Sequence, residues 1–275
     1  MGVRKFDNHA SVSIIDLSNH SSSMRFSTSP QPRFAIEWHR NRSLLDGDVV
    51  SDVWFSNHIL GLVEVNSTYP LNTTLEYGRE NRTVYLFRTF DWSNLTIVQT
   101  NLTTIGPDAR VFTFSTTGTS NNVTGRASLT VKISAATTTD DHVDSDNNTV
   151  HASGFKYSID VTGTPSYKML NSNFALVNMF FSSGDGGRDL GNNTLATSAG
   201  RFDWVSNIMI DGVNSSLTRD SSLNETSPYI FGLFGKRRDH DGQIEDFRCS
   251  KRLIAFNVPR FSSNFSWDPS NVCLY

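Results

Sequence analysis

Strict alternation of apolar and polar side chains restricts this sequence more than any other feature. Phe155, Tyr157, Ile159 and Val161 alternate with Lys156, Ser158, Asp160 and Thr162. Leu129, Val131 and Ile133 alternate with Thr130, Lys132 and Ser134, and Phe202, Trp204, Ile208 and Ile210 share one parity through residues 201–211. Successive side chains of a strand point to opposite faces, so a period of two predicts strands with one buried and one wet side. No segment sustains the i, i+3, i+4 apolar spacing of a helix.

The same reasoning predicts strands over residues 12–17, 33–38, 49–55, 59–65, 83–90, 95–101, 110–116, 174–182, 229–234 and 252–258, filled with β-branched and aromatic residues. Gly, Asn, Asp, Ser and Pro punctuate them at short intervals. Many short strands with turn signals between them predict an all-β fold, an antiparallel β-sandwich resembling a jelly roll. Nineteen Phe among 275 residues supply apolar area without a polar handle, enough for one large domain. The polar, acidic stretch 135–148 is the best candidate for an internal boundary. Either it links two halves, with a subdivision near 136–148, or it is a loop within a single sandwich spanning 1–275.

Thirteen Asn-x-Ser/Thr triplets stand on this framework, at Asn19, Asn41, Asn66, Asn72, Asn81, Asn94, Asn101, Asn122, Asn147, Asn192, Asn214, Asn224 and Asn264. None has Pro in the middle, and chance would give roughly half as many. Each triplet is a candidate acceptor for an N-linked glycan, and acceptors lie on the surface of secreted chains. Asn147 and Asn192 bracket a sequon-free gap, which is expected to map to a contact surface or to the deep core. Two cysteines, Cys249 and Cys273, are expected to pair in the same oxidising compartment, closing a loop worth about 3 kcal/mol in the chain-entropy model. The opening MGVRKFDNHASVSII lacks the apolar stretch and cleavage site of a signal peptide, so the expectation is a mature or excised piece of a longer precursor, the alternative being that the triplets are decoration from a Ser/Thr-rich composition. No run of about 20 apolar residues spans a membrane. A net charge of -3 argues against nucleic acid and anionic membrane as partners.

Candidate chemistry is sparse. Asp140, Asp141, Asp144, Asp146 and Asn148 place oxygen ligands at close intervals, as a calcium loop does. Thr149 and Phe155 stand where an EF-hand needs its Gly and bidentate Glu, so the alternative is a solvated acidic loop. Asp239, Asp241 and Glu245 form a weaker set. No other cofactor is indicated, and the seven His are scattered without zinc spacing. Glu37, Glu64, Asp203 and Asp211 are strand-borne acids of the kind a glycosidase pairs, without a paired-acid motif. No Gly-x-Ser-x-Gly elbow occurs. Lys236, Arg237 and Arg238 form a basic triplet that reads as a processing site, a sulfated-glycan contact or a solvated loop tip. Among the tryptophans, Trp38, Trp54 and Trp204 fall in strand-like runs, whereas Trp92 and Trp267 fall in polar turns and are expected to be exposed.

Four segments carry a resemblance: FKYSIDVTGTP from Phe155, NSNFALVNMFF from Asn171, IFGLFGKRRDHDG from Ile230 and VPRFSSNFSWDPS from Val258. Their cadence resembles a loosely defined group of uncharacterised extracellular β-rich proteins of aquatic invertebrates and their protist relatives, some associated with mineralised skeletal matrices. It covers about 120 residues and implies an extracellular, matrix-type setting, with no functional residues to carry over.

The expected function is therefore that of a secreted, N-glycosylated structural or assembly protein of an extracellular matrix, filament or skeleton, and not an enzyme. Its partners would be copies of itself or other matrix components. A lectin-like or adhesive module, calcium-dependent if the acidic loop binds the ion, is the alternative, and a glycan-degrading enzyme is a third reading. Residues 11–17 (SVSIIDL) are expected either to add as a strand to a neighbouring subunit or to form an ordinary first strand.

Overall fold

A computed structural model describes residues 2–6, 9–15, 20–28, 32–40, 53–67, 82–101, 110–120, 128–138, 142–143, 149–150, 154–183, 188–191, 193–196, 201–220, 249–268 and 272–273. Within these residues the chain opens with β1 (Gly2–Phe6), β2 (His9–Ile15), β3 (His20–Ser27), β4 (Arg33–Arg40) and β5 (Val53–Asn66). Next come β6 (Val84–Leu86), a 3-10 turn over Phe87–Thr89, β7 (Phe90–Trp92) and β8 (Thr96–Asn101). The middle of the chain holds β9 (Arg110–Ser120), β10 (Thr130–Thr138), β11 (His142–Val143), β12 (Thr149–Val150), β13 (Gly154–Thr162) and β14 (Ser172–Ser183). Short strands follow: β15 (Arg188–Gly191), β16 (Thr194–Ala196), β17 (Arg201–Asp203), β18 (Asn207–Ile210), β19 (Val213–Ser216) and β20 (Thr218–Asp220). The last three are β21 (Cys249–Val258), β22 (Asn264–Trp267) and β23 (Val272–Cys273).

All the described pairings are antiparallel, and they build two large sheets. The first runs β1-β2-β3-β4-β5-β14-β21-β20, with β6 also on β5. The second runs β15-β16-β17-β23-β13-β10-β9-β7, with β8 on β9 and the β18–β19 hairpin joined through β22 to β13. The all-β, antiparallel expectation holds, and the inner faces of the two sheets meet as in a sandwich. The pairings do not single out a jelly roll.

Alternation explains which face is inner. In β13, Phe155, Tyr157, Ile159 and Val161 are buried to within 1% while Lys156, Ser158 and Asp160 are only half-buried. The core is aromatic and crosses the gap between sheets. Phe34 of β4 stacks on Tyr157 of β13 at 4.7 Å, Phe180 of β14 meets Phe202 of β17 at 4.8 Å, and Phe256 of β21 meets Trp267 of β22 at 4.7 Å. These separations lie in the favourable range for ring pairs, so the same side chains supply apolar burial and fix the facing register. A polar bolt joins the layers too: Asn57 Nδ2 of β5 donates to the Tyr157 hydroxyl at 3.0 Å, inside the core.

The longest strand needs one glycine. The β5–β14 ladder shifts register between Val177 and Asn178, opposite Gly61. Gly61 has φ +147°, and a Cβ there would overlap the Tyr85 carbonyl oxygen, so β6 lies against β5 only because this residue has no side chain. Through this irregularity the expected strands 49–55 and 59–65 become one, β5. Conversely, the expected strand 83–90 is divided by the 3-10 turn.

Two organisational expectations meet the structure here. Of the stretch 135–148, the first four residues belong to β10, where Ala135, Thr137 and Thr138 are buried. Strand β10 pairs directly with β13, so the stretch joins neighbouring strands of one sheet, by way of the β11–β12 hairpin. Within this chain β2 pairs with β1 on one side and β3 on the other, Val12 opposite both Val3 and Met24.

Candidate functional site

Five of the thirteen acceptor asparagines fall on described residues. Asn94 sits between β7 and β8, Asn101 ends β8 and Asn214 lies in β19; all three are exposed. Asn66, at the end of β5, and Asn264, at the start of β22, are half-buried. By contrast, Asn57 and Asn178 are fully buried, and neither belongs to a triplet. Asn19, Asn41, Asn72, Asn81, Asn122, Asn147, Asn192 and Asn224 lie outside the described residues. The sequon-free gap maps mainly to the deep core, through β13 and β14. Its connecting loop runs beside Asn66, where Ser67 N–H and Oγ both donate to the Asn171 carbonyl.

Three of the acids expected on strands as catalytic candidates are engaged in structural bonds, Asp211 from a turn rather than a strand. Glu64 lies on the inner face of β5, fully buried. Its Oε1 accepts Ser172 Oγ at 2.6 Å and the N–H groups of Lys168 and Met169 at 2.9 and 2.8 Å; its Oε2 accepts Thr83 N–H at 2.7 Å. Burial pushes this carboxyl up, and the hydrogen bonds from Ser172, Met169, Thr83 and Lys168 outweigh it, leaving the pKa below the ordinary glutamate value. Burial also lowers the Arg82 guanidinium, opposed by attraction to Glu64. Glu64 therefore serves as an anion around which the loop before β14 is wrapped. The same loop is pinned at its other side by Tyr167, whose hydroxyl donates to the Phe261 carbonyl and accepts Phe261 N–H, with the Arg260 guanidinium 4.0 Å from its ring centre. Burial, the largest influence, pushes the Tyr167 phenol up to about 12.

Asp211 makes an exposed clamp. It has φ +48° and Gly212 φ +81°, the paired left-handed residues of a two-residue hairpin turn between β18 and β19. From there Oδ1 accepts Asn264 N–H at 3.0 Å and Ser263 N–H and Oγ, both at 2.8 Å, while Oδ2 accepts Ser262 N–H and Oγ at 2.7 and 2.9 Å. The Asn264 N–H, with those of Ser262 and Ser263, holds this carboxyl far below the usual range. Asp-Gly is a signature of such turns, though Asp211 is expected on a strand; the grip on residues 262–264, fifty positions away, has no local signal. Asp203 accepts Thr194 Oγ1 at 2.6 Å and pairs with Arg201 at 2.5 Å. The Glu37 side chain lies outside the described ones.

The tryptophans correct the expected exposure of Trp92 and Trp267. Trp267, placed by its polar neighbours in an exposed turn, is 1% exposed, with Nε1 donating to the Val205 carbonyl at 3.0 Å. Alternation within the four-residue strand β22 turns Phe265 and Trp267 inward together; the strand is too short to be recognised by pattern. Trp204 is buried as well. Trp92 is half-buried, its ring lying over Gly118, where a Cβ would come within 2.7 Å of it. The side chains of Trp38 and Trp54 lie outside the described ones.

The backbone places Cys249 at the start of β21, opposite Ser183 in the first sheet, and Cys273 in β23, opposite Gly154 and Arg201 in the second. Their side chains lie outside the described ones. Asp140, Asp141, Asp144, Asp146 and Asn148 lie outside the described residues, as do Asp239, Asp241, Glu245 and the triplet 236–238. Among the described residues, no group of three or more His, Cys, Asp or Glu is placed to hold a metal ion, and no helix is long and apolar enough to cross a membrane.

Compared with protein-family models and with curated proteins, the chain matches none.

Proposed function

We propose that this protein is a secreted, N-glycosylated structural module of an extracellular matrix, filament or skeleton, working through association with copies of itself or with other matrix components. One observation carries the reading. Among the described residues, the five asparagines in triplets are exposed or half-buried, while the fully buried Asn57 and Asn178 are outside any triplet. Acceptors need exposed or half-exposed positions, and these five have them, as do Asn171, Asn193 and Asn207 outside the triplets. The structural use of Glu64, Asp203 and Asp211 supports a scaffold over a hydrolase, and the burial of Trp204 and Trp267 removes two of the aromatic platforms a lectin would present. The resemblance of the C-terminal segments to extracellular matrix-type proteins points the same way. The oxidising compartment this reading demands would pair Cys249 with Cys273, a staple between the two sheets.

The test is material expressed through a secretory pathway, examined by glycopeptide mass spectrometry and electron microscopy. Glycans on the exposed acceptors together with filaments or lattices are the expected result. Bare asparagines on every acceptor, or a monomer that binds a defined glycan, would overturn the proposal. Non-reducing mass spectrometry reads the cysteine pairing directly, and free thiols would remove it.

A further inference from the structure

We infer that glycans on Asn94 and Asn101 guard an open sheet edge, β8, against pairing with other chains. This rests on the secreted, glycosylated reading above and gives two of its acceptors a specific task.

Strand β8 pairs with β9 from Thr96↔Ser115 to Asn101↔Arg110, and among the described residues it has no second neighbour. Five of its six side chains are exposed, on both faces, with Val98 at 52%. Among the described residues its free side therefore has no partner for its N–H and C=O groups, a template for another strand. The chemistry of the strand makes that template sticky. Residues 93–106, SNLTIVQTNLTTIG, contain no charge and no Pro, and the centre is β-branched. Uncharged, Pro-free windows of high β-propensity are the ones that add to one another edge to edge.

Other edges in the molecule show what is missing here. Of the described edge strands longer than three residues, β1 carries Arg4 and Lys5 and β15 carries Arg188 and Asp189, the charged side chains by which natural sheets discourage edge pairing. The remaining two, β8 and β19, carry no charge, and each contains an acceptor asparagine, Asn101 and Asn214. Strand β8 is the longest of the four and has an acceptor at both ends, Asn94 before it and Asn101 at its close. At about 3.3 Å per residue the two acceptors stand roughly 20 Å apart, so one bulky hydrophilic chain rises at each end of the exposed ladder. An incoming strand long enough to use the edge must collide with one of them. Glycan thus does at β8 what charge does at β1.

The experiment compares wild type, N94Q/N101Q and N94Q/N101Q/V98K, all secreted from a glycosylating host. Glycopeptide mass spectrometry, light scattering and thioflavin fluorescence are read on each. We expect both sites to be occupied in the wild type. In the double variant, association with a thioflavin signal should set in at lower protein concentration than in wild type. The charge that V98K adds, on an exposed face of the bare edge, should restore wild-type behaviour, which a misfolded variant would not do. Three results would overturn the inference: acceptors 94 and 101 bare while others are occupied; a double variant that associates no more than wild type; or association that the V98K change leaves untouched. Acceptors bare throughout would overturn the secreted reading as well, so the two failures are distinguishable.

Discussion

Glu64 is the residue whose environment departs furthest from expectation. A carboxylate buried on the inner face of a strand is costly unless its lone pairs are met, and here four donors meet them. Its pKa lies below the ordinary value of 4.5, so its contribution to stability is complete above that value and is lost as pH falls through the lower, folded-state value. Glu64→Gln is expected to destabilise the protein by about 1–3 kcal/mol at neutral pH, because the amide puts donors where acceptors are needed. It should also flatten the loss of stability on acidification below pH 4.5, read from urea midpoints across pH. Tyr157 presents a neutral version of the same problem. Removing its hydroxyl leaves the Asn57 amide without its partner in the core, so Tyr157→Phe should cost about 1–3 kcal/mol despite keeping the ring. Denaturant unfolding would show the change in midpoint with an unchanged slope.

At the scale of elements, Gly61 decides whether β5 can be one strand. Gly61→Ala forces a Cβ into the Tyr85 carbonyl at a backbone angle that L-residues avoid, and should cost at least about 2 kcal/mol, more than an ordinary surface Gly→Ala change. A thermal scan of G61A beside an alanine substitution at the exposed Gly212 checks this, since space around Gly212 is open and only its positive φ is penalised. The elements that alternation identified are those long enough to show it: β9, β10, β13, β14 and β21 all overlap the expected segments. Missed elements have physical excuses. Strand β3 is HSSSMRFS, in which serine hides the inward parity, and β22 and β23 have four and two residues. The sites were legible in part. Asn-x-Ser/Thr is a local code, so Asn94, Asn101 and Asn214 could be named from sequence as candidate acceptors, and the structure places them on the surface. The duties of Glu64 and Asp211 depend on residues about 100 and 50 positions away, which no local pattern reveals.

For the molecule as a whole, each sheet mixes pairings that are local along the chain with distant ones. Strands β9 and β10 pair as near neighbours, whereas β5 pairs with β14 across an interval of about a hundred residues, Asn66 facing Ser172. Closing so long a loop costs entropy before any contact repays it, so non-local pairing is slow. Pulse-labelling hydrogen exchange is expected to find β9 and β10 protected before β5 and β14, with refolding in the millisecond-to-second range of β-rich domains or slower. Simultaneous protection of the two strand pairs would contradict that order.

The position of β14 has a consequence for biosynthesis. It is held between β5, made early, and β21, made late, so a nascent chain that has delivered residues 172–183 still lacks one flank of that strand until residues 249–258 leave the ribosome. Through that interval Phe174, Leu176 and Phe180 sit in a half-finished layer, and a translational pause between the two segments would lengthen the window in which a chaperone, or another nascent copy, can reach it.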